Sequence, residues 1–368
     1  MKKEISDRGT TLALKLFSHY ECHVSIGVLL ADKPPWYSLG SIVDFYKFTE
    51  LHCASIFGLV EVARTLTTMD GVDINGRDET GATPLLWASR SGNEAVVKLL
   101  LVLEDVNPDR PDLLGRTPLF WAAGNGHEAA VKLLLRREDV NPDRVDLNGI
   151  RPTSAASRDG HEAVVKLLLG RGDASPDRLY KLGMLILFAA ENGNEAVVKL
   201  LLGRKGVNPD GLDPTGRTLI SLAAGSGHEA VVKLLLGCQD VYPDRLDIWG
   251  RTPISWAAEN GHLVVVKLLL GCEDVSPDRL DTWGQTPISW AAENGHEAVV
   301  KLLLGRRDVN PNMLDVWGRT PISWAAEYRR EAVVNLLLRH KDVNPAGQTS
   351  KAYRLSLPAL WNFLRRRF

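Results

Sequence analysis

The chain has 368 residues, with 44 Lys and Arg against 45 Asp and Glu, for a formal net charge of −1. A hydrophobic share of 45 % with 24 % charged residues is the balance of a folded protein rather than a disordered one. Near neutrality supplies no global field toward nucleic acid or anionic lipid, and the longest apolar run, residues 24–31, is too short to span a bilayer.

Residues 1–46 carry no repeat. Two short helices are expected over 11–20 and 22–31, followed by the breaker Asp32-Lys-Pro-Pro-Trp36. The opening Met1-Lys-Lys-Glu-Ile-Ser-Asp-Arg leads into no signal-type apolar core, and no Asn-X-Ser/Thr sequon occurs. An intracellular, reduced and cytoplasmic setting is expected.

From residue 47 the chain repeats itself. Gly250-Arg-Thr-Pro-Ile-Ser-Trp-Ala-Ala-Glu-Asn-Gly-His262 recurs from Gly284 with Gln285 for arginine, and again from Gly318. Older copies begin at Gly81, Gly115, Gly149, Gly183 and Gly216, 34 residues apart except for the 33 between Gly183 and Gly216. Thr49 lies 34 residues before Thr83, so a degenerate first copy over 47–80 makes nine units. A fixed period of this size means a stacked solenoid, expected as one array over 47–345.

Within a unit, Gly250 suits a turn at positive φ, Thr252 caps a helix, and Pro253 takes its first position. Ile254, Ala257 and Ala258 give that helix a small apolar face, and Gly261 closes it in a left-handed cap. A second helix follows over 262–270, with Val264, Val265, Leu268 and Leu269 as its expected apolar stripe. Each helix has about two turns and would not persist alone in water, so only stacking buries both faces.

Three units depart from this pattern. The unit at 149 has Arg151, Thr153 and Ser157 where threonine, leucine and alanine are expected, and the unit at 183 lacks Thr-Pro and one residue. The last unit replaces Gly-His by Arg329-Arg330, which is expected to alter the end of its first helix. Residues 346–368 hold Lys351, Arg354, Arg365, Arg366 and Arg367 with no acidic residue; a capping helix over 358–368 is expected, with a nuclear signal as the alternative.

These residues resemble the ankyrin repeat. Its T-P-L-H-x-A-A reads here as Thr83-Pro-Leu-Leu-Trp-Ala-Ser89, Thr117-Pro-Leu-Phe-Trp-Ala-Ala123 and Thr252-Pro-Ile-Ser-Trp-Ala-Ala258. The resemblance implies an all-α solenoid of helix pairs with β-turn fingertips, binding a protein partner through the tips and the groove-facing side of the first helices. Residues 48–62, the run through Val72-Asp-Ile-Asn75 to Gly81, and the Asp-Val-Asn-Pro-Asp loops (Asp105 to Asp109, Asp139 to Asp143) also resemble the array of fungal NACHT–ankyrin receptor-type proteins. Those proteins carry an NTPase module ahead of the array, and no Gly-x4-Gly-Lys-Ser/Thr loop occurs here. A truncated product or fragment of such a receptor is therefore the alternative reading.

No constellation for chemistry emerges. His127, His161, His228, His262 and His296 recur on successive units about 10 Å apart, too far to share one metal ion; hydrogen bonds to the adjoining turn are expected instead. Cys238 and Cys272 occupy one column at the same spacing, beyond disulfide reach. His19, Cys22 and His23 with His52 and Cys53 have metal-ligand chemistry, but adjacent ligands do not easily face one ion. The Arg-Gly-Asp at 171–173 lies in a repeat loop and is discounted. The expectation is a non-enzymatic, monomeric scaffold without cofactor or metal, binding protein and not nucleic acid.

The candidate binding residues lie in the last three units. Trp249, Trp283 and Trp317 each precede the turn glycine, at positions the resemblance places on exposed fingertips. Trp256, Trp290 and Trp324 follow on the first helix, ahead of Glu259, Glu293 and Glu327 at groove-facing positions, and Arg251 and Arg319 sit beside these rows. Tryptophan and arginine are enriched among interface hot spots. A competing account stays open: recent duplication copied one tryptophan three times, and the helix tryptophans pack between units.

Overall fold

The computed structural model describes residues 48–170 and 178–344, in two compact units that divide between Asp173 and Ala174. The terminal segments 1–46 and 346–368 and the Arg-Gly-Asp tripeptide lie outside the described residues. The first unit holds α1 (Glu50–Phe57), α2 (Val60–Leu66), α3 (Pro84–Ser91), α4 (Glu94–Leu101), α5 (Pro118–Gly124), α6 (Glu128–Leu135), α7 (Pro152–Arg158) and α8 (Glu162–Gly170). The second holds α9 (Arg178–Glu191), α10 (Glu195–Leu202), α11 (Leu219–Gly225), α12 (Glu229–Leu236), α13 (Pro253–Glu259), α14 (Leu263–Leu269), α15 (Pro287–Asn294), α16 (Glu297–Leu304), α17 (Pro321–Glu327) and α18 (Glu331–Leu338). Among the described residues there is no strand, only an isolated bridge between Leu212 and Thr218. Within each unit first helices pack on first helices and second on second, the arrangement of an all-α solenoid.

The caps follow from the sequence. Thr83, Thr117, Thr218, Thr252, Thr286 and Thr320 each accept, through the side-chain oxygen, the N–H of the third helical residue, and proline occupies N1 in all but the Thr218 copy. Ile254, Ala257 and Ala258 are fully buried, which lets neighbouring first helices approach. On α14 the buried stripe is Val265, Val266 and Leu269, whereas Val264 is exposed and Leu268 only half-buried. The stripe therefore sits one residue later than the spacing alone indicates.

A latch joins successive pairs. The ring of His262 lies over Gly227 of the preceding unit, and its Nε2 meets the Gly225 carbonyl at 3.0 Å. A Cβ at Gly227, which holds φ +79°, would stand 2.5 Å from His262 Nδ1. His127, His161, His228 and His296 repeat the bond to the carbonyls of Arg90, Gly124, Glu191 and Glu259. This is the tie to the adjoining turn that the histidine column implied.

The last unit corrects one expectation. Arg329 takes φ 57°, the left-handed conformation that glycine holds elsewhere, and the Nε–H of Arg330 donates to the Glu293 carbonyl at 2.9 Å. The helix end keeps its geometry because arginine supplies the hydrogen bond that histidine supplies elsewhere. The unit at 183 corrects another. With no Thr-Pro to fix its start, α9 begins earlier and runs for 14 residues, and Gly183, expected in a turn, lies inside the helix. In the unit at 149, Arg151 occupies the N-cap without a side-chain cap.

Candidate functional site

The fingertips are built on a buried carboxylate. Oδ1 of Asp247 accepts the backbone N–H groups of Trp249 and Arg251 at 2.9 and 2.8 Å, which folds the tip, and Gly250 at φ 72° completes the turn. The same pair of bonds recurs at Asp78, Asp112, Asp146, Asp213, Asp281 and Asp315. Neighbouring tips are joined by one backbone bond each, Thr282 N to Trp249 O and Val316 N to Trp283 O, both 2.9 Å. A Cβ on Gly250 would stand 3.1 Å from that Thr282 nitrogen, so glycine also permits the approach.

The second carboxylate oxygen reaches the first helix. Trp256 donates its indole N–H to Asp247 Oδ2 at 2.9 Å, Trp290 to Asp281 at 2.9 Å and Trp324 to Asp315 at 3.0 Å. Trp87 and Trp121 do the same for Asp78 and Asp112. Where leucine stands at that helix position, Arg217 Nε occupies Asp213 Oδ2 instead, at 2.9 Å. These helix tryptophans brace the fingertip. Trp324 is buried, Trp256 and Trp290 are half-buried, and the polar edge of each ring is already committed.

Arg251 is likewise internal. It is 5 % exposed, with its guanidinium 3.6 Å from the Trp256 ring centre and 4.2 Å from that of Trp290, and it ion-pairs with Glu259. It shapes the face rather than offering itself to a partner. Arg319 lies 3.4 Å from Trp324 and 4.5 Å from Trp317, bonds Asp315 Oδ2 at 3.0 Å and reaches Glu327 at 3.4 Å. In the copy between them Gln285, also buried, donates its side-chain N–H to Glu293 Oε2 at 2.9 Å. Burial raises the Glu293 carboxyl above its ordinary value; Gln285 and Arg319 oppose the rise, and Glu259 and Glu327 add to it.

Trp249, Trp283 and Trp317 pack edge-on against the helix tryptophans, with ring centres 6.1, 6.3 and 6.4 Å apart. Trp317 is 36 % exposed and the other two are half-buried. The most open apolar groups on these tips are residues that tryptophan counting passes over, Ile248 at 62 % and Val316 at 64 %, with Leu246, Leu280 and Leu314 beside them. Alternation marks them: in Leu246-Asp-Ile248 and Leu314-Asp-Val316 the buried aspartate separates two outward side chains. The first unit exposes Leu113, Leu114, Val145 and Leu147 at its own tips.

Other side chains with reactive chemistry are committed to structure. Thr49 N–H donates to His52 Nδ1 at 3.0 Å, which leaves the Nε2–H to donate to the Ala82 carbonyl at 3.2 Å, and burial lowers the pKa of this ring. Cys238 and Cys272 are free, each thiol directed at a helix carbonyl and pushed up by burial. Among the described residues, no group of three or more His, Cys, Asp or Glu is placed to hold a metal ion, and no helix is long and apolar enough to cross a membrane.

Stacked helix pairs, carboxylate-built fingertips and the histidine latch define a repeat protein of the helix-pair solenoid class. The family described as "Ankyrin repeats (3 copies)" matches residues 25–112, 85–178, 186–279 and 266–347, and the chain belongs to it. Ankyrin repeats are in general protein-interaction modules. A comparison with curated proteins finds no match.

Proposed function

We propose that the chain is a non-catalytic, monomeric scaffold that binds a protein partner through the fingertips and first-helix face of residues 246–344. The carrying observation is the row of apolar side chains left open at these tips, Ile248 and Val316 above all, beside the edges of Trp249, Trp283 and Trp317. The buried aspartate, the turn glycine and the helix indole build each tip, none of them needs an exposed aliphatic neighbour, and exposed apolar surface marks contact sites. Glu259, Glu293, Glu327 and Arg319 border the row, while Trp256, Trp290, Trp324 and Arg251 hold it in place. The test is affinity capture by the full chain and by the double variant Ile248→Ser, Val316→Ser, both checked for an unchanged melting temperature. The polypeptides retained by the wild type are expected to be lost from the double variant. Identical captured sets would overturn the assignment.

A second reading concerns the larger context. The opening of the repeats over 48–81 and the Asp-Val-Asn-Pro-Asp loops favour an array of the NACHT–ankyrin receptor kind, in which an NTPase module acts as the switch and the array senses. Sequencing the transcript would test this: a phosphate-binding loop in frame ahead of the array supports it, and an unrelated frame removes it.

A further inference from the structure

The first helices end in different charges in the two units. The column at or next to the helix end reads Ile56, Arg90, Gly124 and Arg158 in the first unit, and Glu191, Gly225, Glu259, Glu293 and Glu327 in the second. Three of these carboxylates sit on the consecutive helices α13, α15 and α17. In the outer two copies the fingertip arginine answers the glutamate, Arg251 for Glu259 and Arg319 for Glu327, and also lies on the helix indole. In the middle copy Gln285 takes the arginine position and brings a hydrogen bond to Glu293 without a charge. Arg251 thus pairs with Glu259, and Arg319 with Asp315 and Glu327, whereas the Glu293 carboxylate takes the uncharged Gln285 and Arg330 donates to the Glu293 backbone carbonyl. Burial and the flanking Glu259 and Glu327 disfavour the Glu293 charge, so an added cation would be held there. Gln285 follows the middle fingertip and bonds Glu293, and that tip is joined by backbone hydrogen bonds to the tips of Ile248 and Val316 on either side.

We propose that the second unit binds an extended segment of a partner protein that sets apolar side chains on Ile248, Val316 and Trp317 and an arginine against Glu293, replacing the guanidinium that Gln285 lacks. The proposal rests on the fingertip face being the protein-binding surface. Arginine fits because its planar guanidinium bonds a carboxylate in a fork and stacks on an indole, as Arg251 and Arg319 do here.

The probe is a phage-displayed library of random dodecapeptides, panned on the immobilised full chain. Enriched peptides, resynthesised, are expected to pair arginine with aliphatic or aromatic residues and to weaken with rising salt. Gln285→Arg, which makes the middle copy like its neighbours, should weaken them about ten-fold, as should Glu293→Gln or citrulline for the peptide arginine. Peptides lost with Ile248→Ser, Val316→Ser but showing no arginine preference, or indifferent to Gln285→Arg, would overturn the pairing and leave the binding face intact. No enrichment, or peptides indifferent to the fingertip variant, would remove the face itself. If Gln285→Arg changes self-association by light scattering, a second copy is the occupant. If neutralising Arg365, Arg366 and Arg367 strengthens peptide binding, the chain's own C-terminal segment is. Either outcome overturns the proposal.

Discussion

The indole N–H of Trp256 donates to Oδ2 of Asp247 at 2.9 Å, and this bond ties the first helix of its unit to the fingertip nine residues earlier. The aspartate is buried, so its charge is held by that indole together with the Trp249 and Arg251 amides. Trp256→Phe keeps most of the ring's packing and removes the bond. A loss of about 1.5–3 kcal/mol is expected, the range for hydrogen bonds to a charged group. Urea denaturation measures it, with Ile248→Ser as the exposed control, expected within about 0.5 kcal/mol of wild type.

Much of this architecture is legible in the sequence because repetition averages out local ambiguity. The 34-residue period, the Thr-Pro start and the glycine ends locate helix pairs that no single window would. The buried stripe of α14 is not legible, because Leu263-Val-Val-Val-Lys-Leu-Leu-Leu270 is apolar nearly all round and spacing cannot choose the face. The candidate site is half legible. Residue type picks out tryptophan and arginine, but the hydrogen bond from Trp256 to Asp247 and the enclosure of Arg251 depend on contacts across nine residues and between units. Ile248 and Val316 escape because neither is an unusual residue in a turn; only their exposure singles them out.

The histidine latch gives a coupling prediction. Gly227→Ala would place its Cβ against the His262 ring at a φ that alanine resists, and should cost about 1–3 kcal/mol. His262→Ala removes the ring and its bond to Gly225. In the double variant the steric part of the cost disappears, so the two effects should fall short of additivity by at least about 0.5 kcal/mol in a double-mutant cycle. Strict additivity would mean that ring and glycine do not meet.

Between units, Arg144 pairs with Asp109, Arg245 with Asp210 and Arg279 with Asp244, but Met313 stands where Asp278 would find its arginine. Burial raises the Asp278 carboxyl above its ordinary value, and Asp308 adds to the rise. A carboxyl raised on folding binds more protons folded than unfolded, so stability falls as pH climbs from the unfolded pKa through the folded one. Met313→Arg should lower the Asp278 pKa and stabilise the chain at neutral pH by a few tenths to about 1 kcal/mol. Below the ordinary carboxylate range the gain should vanish. Thermal melts at pH 7 and pH 3 decide it; an equal gain at both would mean that packing, not charge, is responsible.

The units at 149 and 183 should open first. The N-cap at Arg151 lacks a side-chain bond, and α9 has no Thr-Pro start. In a repeat stack such losses stay local. Amide exchange is therefore expected to be faster over 149–170 and 182–215 than over 250–344. Uniform protection would show that the departures from the repeat are compensated.

The central claim is that residues 246–344 present a partner surface on their fingertips. Photocrosslinking in cells that express the full chain tests it most directly, with benzoylphenylalanine placed singly at Ile248, at Val316, or at the exposed second-helix residues Lys267 and Glu297. Adducts from 248 and 316 to the same protein, with none from 267 and 297, are the expected result. Adducts that arise equally from the second helices, or different proteins at the two tips, would contradict it.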